Sequence, residues 1–153
     1  MSLEQKLQED MKNALKSGQK LELATLRTVL AQIKDERIRL RPQRELTDDD
    51  VIRVLTSAVK KRREAIDLYK QGNRQDLVDK ESGEITIIEK YLPEQLSVDK
   101  IKQVIEDTIN KLGASSIQDL GKIMGPVMGQ LKGRADGKTV QNMVRDRLLQ
   151  KTP

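Results

Sequence analysis

Apolar residues in this chain recur every three or four positions from Leu3 to Leu148, and that spacing admits essentially one kind of local structure. Leu3, Leu7, Met11 and Leu15, then Leu23, Leu26, Leu30 and Ile33, each trace one side of a 3.6-residue turn. The stripes Val51, Leu55, Ala58, Val59 and Ile101, Val104, Ile105, Ile109 do the same. The one β-branched run, Ile85-Thr-Ile-Ile88, is short and lies between helical segments. The expected fold class is all-α. Aromatics are 1% of the chain, with no Phe and no Trp, so the core must be Leu, Ile, Val and Met.

Capping residues divide the helical pattern. Ser2 with Gln5, and Thr47 with Asp50, have the spacing of capping boxes. Ser97 is expected to cap a fifth helix, with Leu96 and Ile101 as its hydrophobic staple, and Ser116 with Asp119 to open a sixth. Gly18, Gly72 and Gly113 mark helix ends, and Pro42 stops the second helix. Ser82-Gly83 predicts a weak point in the fourth helix and Gly125-Pro126 a kink or break in the sixth. The Tyr91-Leu-Pro93 corner is the expected boundary between two units. We therefore expect two helical bundles, an N-terminal four-helix domain over residues 1–92 and a C-terminal three-helix domain over 97–150.

The missing residue types restrict the chemistry. Without Cys there is no disulfide, thiolate nucleophile or Cys-zinc site, and without His the commonest general base and metal ligand are gone. We expect no metal, no cofactor and no catalytic residues of the chain's own. No apolar run approaches the ~18 residues that span a bilayer. The start, MSLEQKLQEDMK, has no apolar signal core, so a soluble cytoplasmic protein is expected.

The net charge of +5 is unevenly placed. Residues 1–120 hold 22 Lys and Arg against 22 Asp and Glu, whereas residues 121–153 hold 7 against 2. The excess is carried by Lys122, Lys132, Arg134, Lys138, Arg145, Arg147 and Lys151. Such a cluster suits a polyanion, and it equally suits a solvated helical face. Two more basic clusters, Arg37–Arg44 and Lys60–Arg63, lie in the neutral part. The first suits the negative end of its helix. Of the four in the second, one Arg must lie along the apolar seam and snorkel outward.

Gly133-Arg-Ala-Asp-Gly137-Lys-Thr139 has one residue too few between its glycines for a phosphate-binding P-loop, and a helix precedes it where a strand should be. Two readings of it stay open. One is a phosphate-oxygen site at a helix N-terminus flanked by Arg134 and Lys138, and the other is a tight turn that needs Gly. Gly121, Gly125 and Gly129 form a ridge along the sixth helix, expected to serve close helix–helix packing, with close approach of a ligand as the alternative.

Leu26-Arg27 through Ile33-Lys34, Lys61-Arg-Arg-Glu64, Tyr91-Leu-Pro-Glu-Gln-Leu96, Gly121-Lys-Ile-Met-Gly125 and Gly133-Arg-Ala-Asp-Gly-Lys138 together resemble the GatB/YqeY family over essentially the whole chain. The match is closest to stand-alone YqeY-like proteins. The module is similar to the C-terminal region of the GatB subunit of the tRNA-dependent amidotransferase, which turns misacylated Glu-tRNA or Asp-tRNA into Gln-tRNA or Asn-tRNA. The resemblance implies a four-plus-three helix fold and contact with tRNA without catalysis, since the amidase and ATP-using centres of that enzyme lie in other domains. The expected RNA-binding residues are Lys122, Lys132, Arg134, Lys138, Arg145 and Arg147. With two Tyr, recognition should go through phosphates and shape. The alternatives are a protein-interaction module docking on the amidotransferase or an aminoacyl-tRNA synthetase, and a carbon–nitrogen ligase using glutamine as amido-N-donor.

Overall fold

The computed structural model describes residues 1–131 and 133–151. Among them are seven α-helices and one 3-10 turn, with no strand. One compact unit spans Met1–Leu92 and a second begins at Pro93.

The first unit contains α1 (Leu3–Ser17), α2 (Lys20–Leu40), α3 (Asp48–Gln71) and α4 (Gln75–Glu89). The most extensive packing joins α3 to α4 and α1 to α2, and α2 also touches both α3 and α4. Its core is aliphatic: Leu7, Leu26, Val29, Ile33, Val51, Leu55, Ala58, Val59, Ile85, Ile87 and Ile88, with Tyr91 at its border. Leu15, expected in the stripe of α1, is 57% exposed. A strict four-residue repeat advances about 40° per step on a helix, so Leu15 has rotated out of the face that buries Leu7.

Capping decides where these helices begin. Ser2 and Gln5 close a capping box on α1, and Thr47 and Asp50 close one on α3. Gly18 ends α1 in the left-handed conformation, φ 72°. After α3 the left-handed residue is Asn73 (φ 55°), one position past the expected Gly72, and Asn is among the few side chains that tolerate this region. The fourth helix runs unbroken through Ser82-Gly83, contrary to the expected weak point. A Cβ on Gly83 would lie 2.9 Å from Leu21 Cδ2, so the glycine lets α2 approach closely.

Asp50 does more than cap. Its side chain is fully buried and accepts hydrogen bonds from both terminal nitrogens of Arg44 (2.6 and 2.7 Å), from the Thr47 backbone and hydroxyl (2.9 Å each), and from Arg53. The Arg44 guanidinium is the main reason its carboxyl sits far below the ordinary carboxylate range. The Arg37–Arg44 cluster is thus largely structural: Arg37 pairs with Glu4 on α1, Arg39 with Glu36, and Arg44 with Asp50. In the Lys60–Arg63 cluster the inward residue is Arg62. It does not snorkel to water; it donates to Glu84 on α4 (2.7 Å) and to the Ala58 carbonyl (2.9 Å). Tyr91 ties the far end of the unit to its beginning: its hydroxyl donates to Asp10 on α1, and Lys6 Nζ lies 5.7 Å from its ring centre. Burial, then the Asp10 carboxylate, raise the Tyr91 phenol well above its usual range.

The second unit contains α5 (Val98–Leu112), the 3-10 turn Ile117–Asp119, α6 (Leu120–Leu131) and α7 (Gly137–Lys151). Ile101, Ile105 and Ile109 from α5, Ile123, Val127 and Leu131 from α6, and Val140, Val144 and Leu148 from α7 form its core. The Ser116–Asp119 box caps the 3-10 turn, which runs directly into α6. Pro126 lies inside α6 without breaking it, against expectation. Two features relieve the usual conflict. The preceding residue is Gly125, which has no Cβ to clash with the proline ring, and the 125–126 face is exposed, so water reaches the carbonyl that loses its donor.

Removal of the Asp50 carboxylate should be costly, because it takes a cap and charge-assisted bonds together. Asp50→Asn is expected to lower the unfolding free energy by about 2–4 kcal/mol at pH 7, measured by urea titration. Its folded-state pKa is depressed, so its contribution is complete above the unfolded carboxylate pKa of about 4 and falls as pH drops below it. The gap between wild type and Asp50→Asn should therefore narrow at pH 3. Tyr91→Phe, which keeps the ring and loses the bond to Asp10, is expected to cost about 1–2 kcal/mol in the same assay.

Candidate nucleic-acid interface

The six cations singled out from the sequence end up in different environments. Lys122 is exposed on α6, and Lys138 and Arg145 are exposed on α7. None of these three makes an ion pair among the described residues. Lys138 and Arg145 are seven residues apart, so they share one side of α7 at about 10.5 Å along its axis. Lys122 stands near Asp119. The backbone N–H groups of Ser115 and Ser116 are the main cause of that carboxyl's lowered pKa, with Lys122 a smaller contributor.

Two others are committed elsewhere. Arg147 lies two positions, about 200°, around α7 from Arg145, and there it pairs with Glu106 of α5. That contact raises the Arg147 pKa above its ordinary value. Arg134 is half-buried, and its Nε donates to the Glu94 carbonyl at 3.4 Å. Lys132 lies outside the described residues.

The turn between α6 and α7 is organised from within. Gly133 takes φ 75°, a conformation that glycine supplies without strain. The Gly133 carbonyl accepts from Gln95 Nε2 (2.8 Å), and the Arg134 carbonyl accepts from the Leu96 N–H (2.9 Å), so the segment after Pro93 is fastened to this turn. Asp136 caps α7: its Oδ2 accepts from the Thr139 N–H (3.1 Å) and hydroxyl (2.9 Å). A carboxylate thus already occupies the helix end where the sequence suggested a phosphate oxygen. The two open readings of this loop resolve toward the tight, capped turn.

The α6 glycines also differ from expectation. Gly121, Gly125 and Gly129 lie on the exposed face, and a Cβ added to any of them would meet nothing within 4 Å. Among the described residues no helix packs on the ridge. It leaves the backbone of α6 open beside Lys122. Cations on α2 were not among the sequence-based candidates, though Lys20, Arg27 and Lys34 recur at a visible seven-residue spacing.

Comparison with known proteins covers nearly all of this architecture. A model of the YqeY-like protein family matches residues 4–148. The chain belongs to the YqeY-like family. Among its curated relatives is Altered inheritance of mitochondria protein 41, mitochondrial, of Pyrenophora tritici-repentis, 30% identical over an alignment of 149 positions that covers 92% of this chain and 78% of the relative. The protein of the same name from Saccharomyces cerevisiae is 26% identical over an alignment of 127 positions that covers 79% of this chain and 68% of the relative. The YqeY-like chain has no helix among its described residues long and apolar enough to cross a membrane.

Loss of the α7 cap should be felt locally. Asp136→Ala in this YqeY-like protein is expected to cost about 1 kcal/mol by thermal unfolding. It should also speed amide exchange in the first turn of α7 and leave exchange in α1–α4 unchanged.

Proposed function

We propose that this protein is a tRNA-binding accessory module, related to the C-terminal region of the amidotransferase GatB subunit, that holds RNA by phosphate and shape contacts and has no catalytic centre of its own. The observation that carries the reading is that three of the six candidate cations, Lys122, Lys138 and Arg145, are exposed on the second unit with no ion pair among the described residues. The open face of α6 beside Lys122 supports it, because a sugar–phosphate chain could approach the helix backbone without displacing side chains. Arg147 and Arg134 are given a structural part in this reading, since Glu106 and the Glu94 carbonyl engage them. Stacking plays little part in a chain with two Tyr, so affinity would come from counterion release and depend steeply on salt. The proposed compartment is the cytoplasm; the mitochondrial location in the names of the fungal relatives belongs to those proteins.

Docking on an amidotransferase or an aminoacyl-tRNA synthetase is the second reading. It is favoured by a groove of 320 Å³ between α5 and α7, with Ile105 and Met143 among its lining and the Arg147–Glu106 pair at its edge.

Fluorescence anisotropy with labelled tRNA across a salt series separates the two. For Lys122→Ala/Lys138→Ala/Arg145→Ala, the slope of log affinity against log salt should flatten by roughly 2–3, since each phosphate left unneutralised removes about 0.7–0.9. Arg147→Ala should leave the slope within error of wild type. Equal, weak binding by wild type and the triple variant would remove the RNA reading. A protein partner that survives nuclease treatment, and no longer binds Met143→Glu, would put docking in its place.

A further inference from the structure

α2 carries an exposed face that no part of the first unit covers. Lys20, Arg27 and Lys34 follow one another at intervals of seven residues, and Arg41 at the helix end continues the series. Seven residues are close to two full turns, so the first three stand in line, about 10.5 Å apart. Between them on the same side fall Ala24, Ala31 and Ile38. Ala24 and Ala31 are exposed, and Ile38 is 60% exposed; the four cations all face water. None of the four cations enters an ion pair among the described residues, whereas Arg37, Arg39 and Arg44 from the same stretch all do. Along α2 itself a single acid, Asp35, borders the row.

Internal stability does not account for this row. Lys20 occupies the first position of α2, where the positive end of the helix disfavours a cation, and no ion pair compensates it. A helix from another protein is a poor match for the face. Two of its three interleaved side chains are alanines, so little apolar area would be buried beyond Ile38. What the face does offer is a straight, narrow line of positive charge with room for close approach over Ala24 and Ala31. A B-DNA strand carries a phosphate about every 3.4 Å along its axis and an A-form RNA strand spaces them somewhat more closely, so cations about 10.5 Å apart fall opposite roughly every third or fourth one.

We propose that the Lys20–Arg27–Lys34 face of α2 is a second RNA contact, one that binds the sugar–phosphate backbone of the same RNA the second unit engages. The inference rests on the RNA reading above and adds a surface to it. Lys20 and Lys34 supply point charges, Arg27 a forked donor for phosphate oxygens, and Arg41 extends the line.

The test uses the full-length protein and fluorescence anisotropy with labelled tRNA over a salt series. Lys20→Gln/Arg27→Gln/Lys34→Gln should weaken binding at least about tenfold near 100 mM salt and flatten the salt slope by about 2. The charge-matched control Lys12→Gln/Lys16→Gln/Lys60→Gln should stay within about twofold of wild type. Lys20→Arg/Lys34→Arg, which keeps the charges and the Arg27 fork, should bind as wild type does, and a circular-dichroism melt of the Gln variant that matches wild type excludes misfolding as the cause of its loss. Equal losses in the Gln variant and its control would overturn the proposal, reducing the effect to net charge. An unchanged Gln variant would overturn it alone if Lys122→Ala/Lys138→Ala/Arg145→Ala still loses affinity. Wild type that binds tRNA with no salt dependence overturns the RNA reading and this surface together. Binding to poly-glutamate but not to tRNA, with the same dependence on the three residues, would overturn it by assigning the face to an acidic protein.

Discussion

The buried carboxylate of Asp50 shows the constraint on which the rest of this structure depends. A core made almost wholly of Leu, Ile, Val and Met presents helices with smooth, interchangeable surfaces. Fixed geometry then falls to polar contacts at the helix ends and seams. Asp50 gathers Arg44, Arg53 and Thr47 at the start of α3, Arg62 reaches from α3 to Glu84 on α4, and Arg37 reaches from α2 to Glu4 on α1. In the second unit Arg147 and Glu106 connect α7 to α5. Where such pairs are screened from water they resist salt better than exposed ones, and Arg62, with 12% of its side chain exposed, is the best screened of these cations.

That use of arginine sorts the cations of the chain into two groups. One group is spent on internal pairs. Others face water without an ion pair among the described residues, and of these Lys122, Lys138 and Arg145 on the second unit and Lys20, Arg27, Lys34 and Arg41 on the first fall on the two surfaces proposed for RNA. The functional reading follows from the second group alone. Net charge by itself is misleading here. The first unit is close to neutral by sequence, yet once its pairs are formed α2 still presents an almost acid-free line of positive charge.

Much of the fold was legible because its determinants are local. Ser2, Thr47 and Ser97 cap the helices they were expected to cap, since a cap needs only its own residue and the next three. Pro126 was misread because its cost depends on context: Gly125 before it and solvent around it let α6 continue. The glycine ridge was misread for a similar reason. Spacing of four places three glycines on one face, but only the fold decides whether that face meets a helix or water. The basic cluster was legible as a cluster and not as a site. Arg147 finds its partner 41 residues away, and no local pattern announces that contact. The row on α2 was visible as a seven-residue period, yet the absence of partners for it emerges only from the folded unit.

The central claim is that RNA meets two particular sets of unpaired cations, Lys122, Lys138 and Arg145 on the second unit and the Lys20–Arg27–Lys34 row on the first, and not exposed lysines in general. Lysine acetylation footprinting by mass spectrometry, with and without saturating tRNA, tests it directly. Lys122, Lys138, Lys20 and Lys34 should lose reactivity on addition of tRNA, while Lys12, Lys16 and Lys60 keep theirs. Uniform reactivity with and without tRNA, or protection confined to the second set, would contradict the account.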